Sequence, residues 1–341
     1  MKKTTAFFLT VGVLAMIIGG IGSITYFRRA EHSMTETKQE QYTIKNKQGI
    51  KEVHLNLSGN AQRIKIYSDD SNKIKLNTKN YLSYFLNSSL SVKEESDKLT
   101  ATIKTSQKKR AHDSIQFNIF DRGSITSVAI PANTEKLVIS GNASGDIDLS
   151  DLTIENLAVE MTNADLSFSN LNAKEAVIHS DHGDVSIYGE SKIEKSAFST
   201  KNGDIRVAAF TSSEWSVHSR DGDVSLEQVK GNVTLESTNG DITVTDLKGE
   251  AAVKSVNGDF ELYGTEIPKK LSVELKQGDI EIYPEEILYD TAITAEAHMG
   301  DSSIFNKNRT SYKQGKETNV MDLKTKYGDI TIDGPSEYEE D

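Results

Sequence analysis

Residues 237–249 read STNGDITVTDLKG, a tight turn followed by one short strand. The central phrase is Gly-Asp followed by apolar, any residue, apolar. It returns as SRDGDVSL around Gly222, SVNGDFEL around Gly258, KQGDIEI around Gly278 and KYGDITI around Gly328. The Gly-Asp pairs begin at Gly145, Gly183, Gly203, Gly222, Gly240, Gly258, Gly278, Gly300 and Gly328, with Ala164-Asp165 filling the one long gap. Successive steps are 18 to 22 residues, apart from a last step of 28. Self-similarity on that scale marks an array of stacked units.

Each unit holds two short alternating runs. After Gly222 they are Val224 and Leu226, then Val233 and Leu235; after Gly240 they are Ile242 and Val244, then Ala251 and Val253. Apolar residues two apart share one face of a strand, which turns Ser225, Thr234 and Thr243 the other way. Two strands of this length cannot bury a face alone. Stacked at ~4.8 Å, successive units build a continuous apolar column with their inner backbone groups paired. The expected fold is all-β: a β-solenoid, a parallel β-helix-like stack of repeats of about 19 residues over 141–334, each winding having two strands and two corners.

The residues before the glycines are His182, Asn202, Asp221, Asn239 and Asn257. These types tolerate positive φ, and glycine beside them relieves a sharp corner without a Cβ clash. Where the glycine is missing, Asn163 is expected to take the unusual conformation. The opposite corner varies in length, as in LEQVKGN, TDLKGE, YGESKIEK and YGTEIPKK, and absorbs the drift in period.

Residues 42–140 alternate with the same two-residue period in IKEVHLNL, RIKIY, KIKLN, KLTATIKT and SITSVAIP, without the corner phrase. They read as further strands forming an N-terminal cap. The aromatic clusters NYLSYFLNSSL and FNIFDRG are expected to cover the open end of the stack. Residues 335–341 form an acidic tail.

The N-terminus differs in kind. Lys2 and Lys3 precede an uncharged apolar run, 4–27, closed by Arg28 and Arg29. As a helix it would reach about 36 Å, enough to span a ~30 Å hydrocarbon core. Gly20 and Gly22 allow a cleaved signal peptide instead, but signal h-regions run only ~7–15 residues. The expected order is residues 1–3 in the cytoplasm, a transmembrane anchor over 4–27, a linker over 28–41, and the bulk of the chain outside the cell membrane. There is no wall-sorting LPxTG-type ending, so tethering falls to the anchor.

Composition excludes several classes. With 36% hydrophobic and 26% charged residues the chain is not a disordered polymer. It has no cysteine, which removes disulfides, thiolate metal sites and a cysteine nucleophile. A net charge of -12 opposes nucleic-acid binding, which needs clustered Lys and Arg.

The Asp column is the most tempting site. Carboxylates one winding apart repel by ~1 kcal/mol per adjacent pair in water, so something must compensate them. Calcium is one option. The other is backbone N–H groups of each Asp's own corner, with Lys and Arg from neighbouring loops. One Asp per winding is sparse against the six to eight oxygens calcium takes, which favours the structural reading. Outward carboxylates such as Glu227, Glu236, Glu261 and Glu281 could pair for glycoside hydrolysis, yet no winding departs from the repeat to mark such a site. His179 and His218 sit at equivalent places two windings apart, about 10 Å, too far to share a metal. Trp215 reads as core filler, and SQKKRA at 106–111 as a solvated basic loop with anionic headgroups as its alternative partner. No catalytic, cofactor-binding or metal-binding residue is assigned, and no cofactor is expected.

With the anchor, VAIPANTEKLVI at 128–139 and the iterated NGDI-like units in hand, the chain resembles the putative-adhesin family of β-strand-repeat proteins, a domain of unknown function, and within it the membrane-anchored LiaG-type proteins of the cell envelope. The resemblance spans about 42–334. It implies a non-enzymatic, membrane-tethered extracytoplasmic module, an adhesin-like or envelope-stress scaffold binding protein or glycan. The alternatives are an enzyme acting on wall polysaccharide and a self-assembling, bactofilin-like solenoid.

Overall fold

The computed structural model describes residues 36–46, 49–80, 84–109, 124–265 and 267–335, together with Met16 and Ile21. The expected anchor over 4–27 lies outside the described residues apart from those two, as do FNIFDRG and all of the acidic tail after Pro335. Among the described residues no helix is long and apolar enough to cross a membrane.

The Gly-Asp repeats stack in parallel and in register, which makes the fold an all-β solenoid. On one side Val185 and Ile187 lie over Ile205 and Val207, then Val224 and Leu226, Ile242 and Val244, Phe260 and Leu262, and Ile280 and Ile282. On the other, Ala176 and Ile178 lie under Ser196 and Phe198, then Trp215 and Val217, Val233 and Leu235, Ala251 and Val253, and Leu271 and Val273. All these side chains are buried, in one core that runs from Ile44 to Ile332. Fully burying such a side chain stabilises by about 1.5–3 kcal/mol, a gain available only once the neighbouring winding is present. The alternation read from the sequence is therefore the packing rule of the fold.

A winding has three bends where two were expected. The Gly-Asp corner is the first. The second turns on a positive φ at Asp151, Asn170, Gly189, Ala209, Gln228, Asp246 and Gly264 in successive windings. Beyond it runs a short third side whose buried residues include Leu152, Leu171, Ser191, Phe210, Val229 and Leu247. The third bend is a bulge. The consecutive amides of Glu155 and Asn156 both donate to Glu135 O at 3.0 Å, and those of Glu135 and Lys136 both donate to Lys51 O. In these windings one extra residue bends the strand without ending it.

The windings are not stacked in chain order at either end. The strand Glu52–Asp69 lies between the winding made of Lys98–Lys109 and Ile125–Pro131 and the strand Lys136–Ser150. Residues 42–140 thus hold two windings of the same stack, as well as a cap of antiparallel strands: Tyr84–Glu95 on Lys98–Lys109, Lys73–Asn80 on Ile125–Pro131, and Glu36–Thr43 on Lys73–Asn80. At the other end Asn319–Tyr327 and Ile330–Ile332, although last in the chain, sit between the Asp279 winding and the outermost winding, Thr291–Met299 with Ser302–Ile304. The Asp order is 279, 329, 301 where the chain order is 279, 301, 329. The cap expected from NYLSYFLNSSL is present as Tyr84–Glu95. The SQKKRA segment, read as a loop, is strand through Lys109, because its backbone pairs with that cap.

Candidate binding surface

The Gly-Asp corner is built from four side-chain columns. Glycine is required twice over: Gly203, Gly222, Gly240 and Gly258 have φ between +120° and +153°, and a Cβ on each would stand 2.0–2.3 Å from the glycine carbonyl oxygen one winding below. The unusual conformation belongs to glycine itself. Asn163 and the residues preceding the glycines have negative φ, which corrects the expectation placed on them.

Those preceding residues do something else, forming a ladder between windings. Asn257 Nδ2 donates to Asn239 Oδ1 at 2.8 Å, Asn239 Nδ2 to Asp221 Oδ1 at 2.6 Å, and Asn202 Nδ2 meets His182 Nδ1 at 2.8 Å. Amide ladders of this kind are a feature of stacked parallel strands. Three residues before several of these corners, an inward hydroxyl satisfies a corner carbonyl that the bend leaves over. Ser180 donates to Ala164 O at 3.1 Å, Thr200 to Gly183 O at 3.2 Å and Thr325 to Gly278 O at 2.8 Å. The sequence signal is a Ser or Thr three before the corner, as at Ser180, Thr200, Ser219 and Thr325.

The aspartates form a directional chain. The amide of Asp184 donates to Asp165 Oδ1 at 2.9 Å, Asp204 to Asp184 at 2.8 Å, Asp223 to Asp204 at 3.0 Å and Asp241 to Asp223 at 2.9 Å. Asp259, Asp279, Asp329 and Asp301 continue it at 2.8–2.9 Å. The donor is the next winding's amide and not each residue's own corner, as had been expected. Arg206 spans Asp184 at 3.1 Å and Asp204 at 2.5 Å, and Arg63 spans Asp146 and Asp148. Among the described residues no group of three or more His, Asp or Glu side chains converges as a metal site.

The remaining sequence candidates are spread apart. Glu261 and Glu281 are register neighbours, but each accepts from a tyrosine of its own winding, Tyr263 at 3.1 Å and Tyr283 at 2.7 Å, and the two rings stack with centroids 5.1 Å apart. That hydrogen bond to Glu281, reinforced by burial, pushes the Tyr283 phenol up to about 12. Glu236 lies between His218 and Lys254, and Glu227 beside Thr245. Ser199 separates His179 from His218, the two-winding spacing expected. Trp215 is 4% exposed and packs against Phe198 and Phe210, as core filler should.

The bulge column makes a surface that sequence reading did not anticipate. Along it runs a groove of about 620 Å³ crossing five windings, floored by Ile154, Ala173 and Ile193 and rimmed by Glu135, Glu155, Lys174 and Glu194. Lys51 pairs with Glu135 at 2.6 Å and Lys174 with Glu155 at 2.5 Å. The Lys174 ammonium holds the Glu155 carboxyl below its usual range. An apolar floor with fixed charges of both signs suits an extended polymer lying along the stack axis.

Two solved structures are similar to the chain over most of its length. A putative adhesin from Bacteroides fragilis is 15% identical, with 88% of this chain and 97% of that one covered at a TM-score of 0.39. A putative cell adhesion protein from Clostridium sporogenes is 11% identical, with 88% and 100% covered at a TM-score of 0.22. No curated protein matches the chain. The family model described as Toastrack DUF4097 matches twice, over residues 50–231 and 191–333, so that nearly the whole stack is accounted for and the chain belongs to that family.

Proposed function

We propose that this is a non-enzymatic, adhesin-like module of the cell envelope, anchored by residues 4–27 and holding its solenoid outside the membrane to bind protein or glycan. The observation that carries the reading is the groove over the bulge column, which runs across windings and offers an extended ligand repeated apolar and charged contacts. Glu36–Thr43, the first described strand, belongs to the cap, so an anchor preceding it would put the cap end nearest the membrane.

Two measurements test this. Protease added to intact cells should digest the solenoid, and full protection would remove the extracytoplasmic placement. The full chain in mild detergent should bind isolated envelope fractions without releasing reducing ends. Reversing both groove lysines, Lys174→Glu with Lys192→Glu, should weaken that binding at least tenfold. Binding indifferent to the pair of changes, or release of reducing ends, would overturn the reading.

A further inference from the structure

The side of the stack that buries Ala176, Trp215 and Leu235 turns four columns of side chains outward. The middle column is small: Ala158, Val177, Ala197, Ser216, Thr234 and Ala252 follow one another in register. The flanks alternate in charge. One runs Glu175, Lys195, Glu214, Asn232, Glu250, Lys270, and the other runs from Glu160 through His218 and Glu236 to Lys324. Among the described residues the exposed valines are Val177, Val256 and Val320, and all three stand on this face.

We infer that this face pairs with the same face of a second copy, about a twofold axis lying along the strands midway between the Trp215 and Val233 windings. That axis runs the two stacks in opposite directions and sets each column against itself in reverse order. On the first flank Glu175 then faces Lys270, Lys195 faces Glu250 and Glu214 faces Asn232. On the second Glu160 faces Lys324, His179 faces Glu274 and His218 faces Glu236. In the column beyond it Asp181 faces Lys276. The middle column sets Ala197 on Ala252 and Ser216 on Thr234, small enough for the two sheets to approach at ~10 Å.

Neighbouring alignments bring like charges together, which costs affinity. Shifting the axis by half a winding sets Glu175 against Glu250 one way and Lys195 against Lys270 the other. A whole winding sets Lys201 against Arg220 one way and against Lys326 the other. A twofold axis along the stack would match Glu214 with His218 and Glu250 with Lys254, but leave Lys195, Glu236 and Lys276 facing no opposite charge. The alignment proposed is free of these conflicts.

The face is large enough to hold a pair. Its eight windings, from Ala158 to Asp322, at ~4.8 Å each by about 20 Å of strand come to on the order of 750 Å² per copy, against ~800 Å² for a standard interface. A twofold axis in the plane of a twisted sheet maps the twist onto itself, so the faces do not splay apart. Pairing uses up the face, and the product closes at two copies. Under the anchored reading proposed above, on which this corollary alone rests, the opposed stacks would join two facing membranes.

The test uses the full chain in mild detergent, by sedimentation velocity over a concentration series. The native chain should sediment as a dimer. Glu175→Lys sets lysine against Lys270 twice in each pair, and dimer affinity should fall at least tenfold. Adding Lys270→Glu restores opposite signs and should recover the native affinity, which damage to the fold or an axis along the stack would not allow. The chain has no cysteine, so a short bis-maleimide should join Ala197→Cys to Ala252→Cys in a mixture of the two variants. Ala197→Cys alone, whose copies would stand three windings or about 14 Å apart along the stack, should not be joined. A native monomer, growth beyond dimer, a charge swap that fails to recover, or linkage of Ala197→Cys to itself overturns the pairing. Because these assays use neither a membrane nor the groove, their failure leaves the anchored, groove-binding reading standing.

Discussion

The two ends of the stack solve one problem to different extents. A parallel winding cannot satisfy its own outer edge, and an open edge is a template for another chain. At the cap end Tyr84–Glu95 covers Lys98–Lys109 residue for residue, Lys73–Asn80 covers Ile125–Pro131, and Glu36–Thr43 lies on Lys73–Asn80 in turn. At the tip the antiparallel cover is Ser311–Lys313 and the two residues Lys307–Asn308. Both ends share a second device, since the chain's first and last windings are each held one layer in from the edge, between neighbours on both sides. Terminal segments usually fray. Here the first and last windings are held on both faces, while Glu36–Thr43, ahead of the first winding, pairs on one side only, with Lys73–Asn80.

The sharpest way to break that comparison is at the tucked winding of the tip. Gly328 has φ +150°, and a Cβ there would stand 2.1 Å from Gly278 O; Gly300, in the outermost winding, would place its Cβ 2.0 Å from Gly328 O. Gly328→Val should cost more than about 4 kcal/mol and release everything beyond Pro284, because it wedges the inserted winding, and the outermost winding above it, off the Asp279 winding. Gly300→Val should free the outermost winding alone. Hydrogen exchange resolves the two, and equal loss of protection from both variants would mean that tucking adds nothing.

At the cap end the comparable lesion is smaller. Leu86 is 1% exposed and the side chain of Asn80 grips its backbone, accepting from the amide at 2.8 Å and donating to the carbonyl at 3.0 Å. Leu86→Ala should destabilise by about 2–5 kcal/mol, the range for an emptied leucine site. Protection should fall over 84–109 and stay unchanged over 291–304. A uniform loss across the stack would show that it unfolds as one unit and that the ends are not independent.

The Gly-Asp corner was legible because its requirement is local and repeats in every winding: a positive φ and a backbone touching backbone admit only glycine. Stack order was not legible, because windings placed in register by burial carry no mark of which neighbour they meet. The 28-residue last step was the one trace of the inserted winding. The Asn column was misread because tolerance of positive φ and laddering between windings select the same residue type. The groove was missed because a bulge needs only one residue too many, and Glu155, Lys174 and Glu194 look like ordinary solvated positions. The first winding escaped notice because Arg63 stands in register with Asp146, answering its charge where an aspartate would have repeated it.

Acid should separate the ends without any mutation. Depressed carboxylates gather at the cap end, in the cap itself and on the adjoining winding strand Glu52–Asp69. Lys75, then Ser71, holds Asp69 down to about 2. The amides of Lys45 and Asn46, with the Tyr42 hydroxyl, hold Glu94 low. Lys38 lowers Glu40, and His54 lowers Glu52. A carboxylate whose folded value lies below its unfolded value adds stability that is complete above about pH 4 and disappears as pH falls through the folded value. Between about pH 4 and 2 the cap should therefore loosen first, seen as new cleavage by an acid-active protease within 36–109 while 291–335 stays intact. Simultaneous cleavage at both ends would show that these carboxylates do not govern the cap.

The smallest effect belongs to the tip half and runs with the opposite sign. Tyr283 is neutral in the fold with its value raised to about 12, its hydroxyl bound to Glu281 and its ring stacked on Tyr263. A raised value means that the unfolded phenol ionises first, so this contribution is whole below about pH 10 and is lost as pH climbs toward 12. Tyr283→Phe keeps the ring stack and removes the hydrogen bond, which should cost about 0.5–1.5 kcal/mol at neutral pH. The same change should flatten the alkaline loss of protection in the Asp259 and Asp279 windings. Tyr42 in the cap is raised by the same kind of contact, to Glu94, and Tyr42→Phe is its natural control. If the two substitutions shift alkaline protection at the same end, the ends are coupled through the core; if each acts only where it stands, the solenoid transmits little from cap to tip.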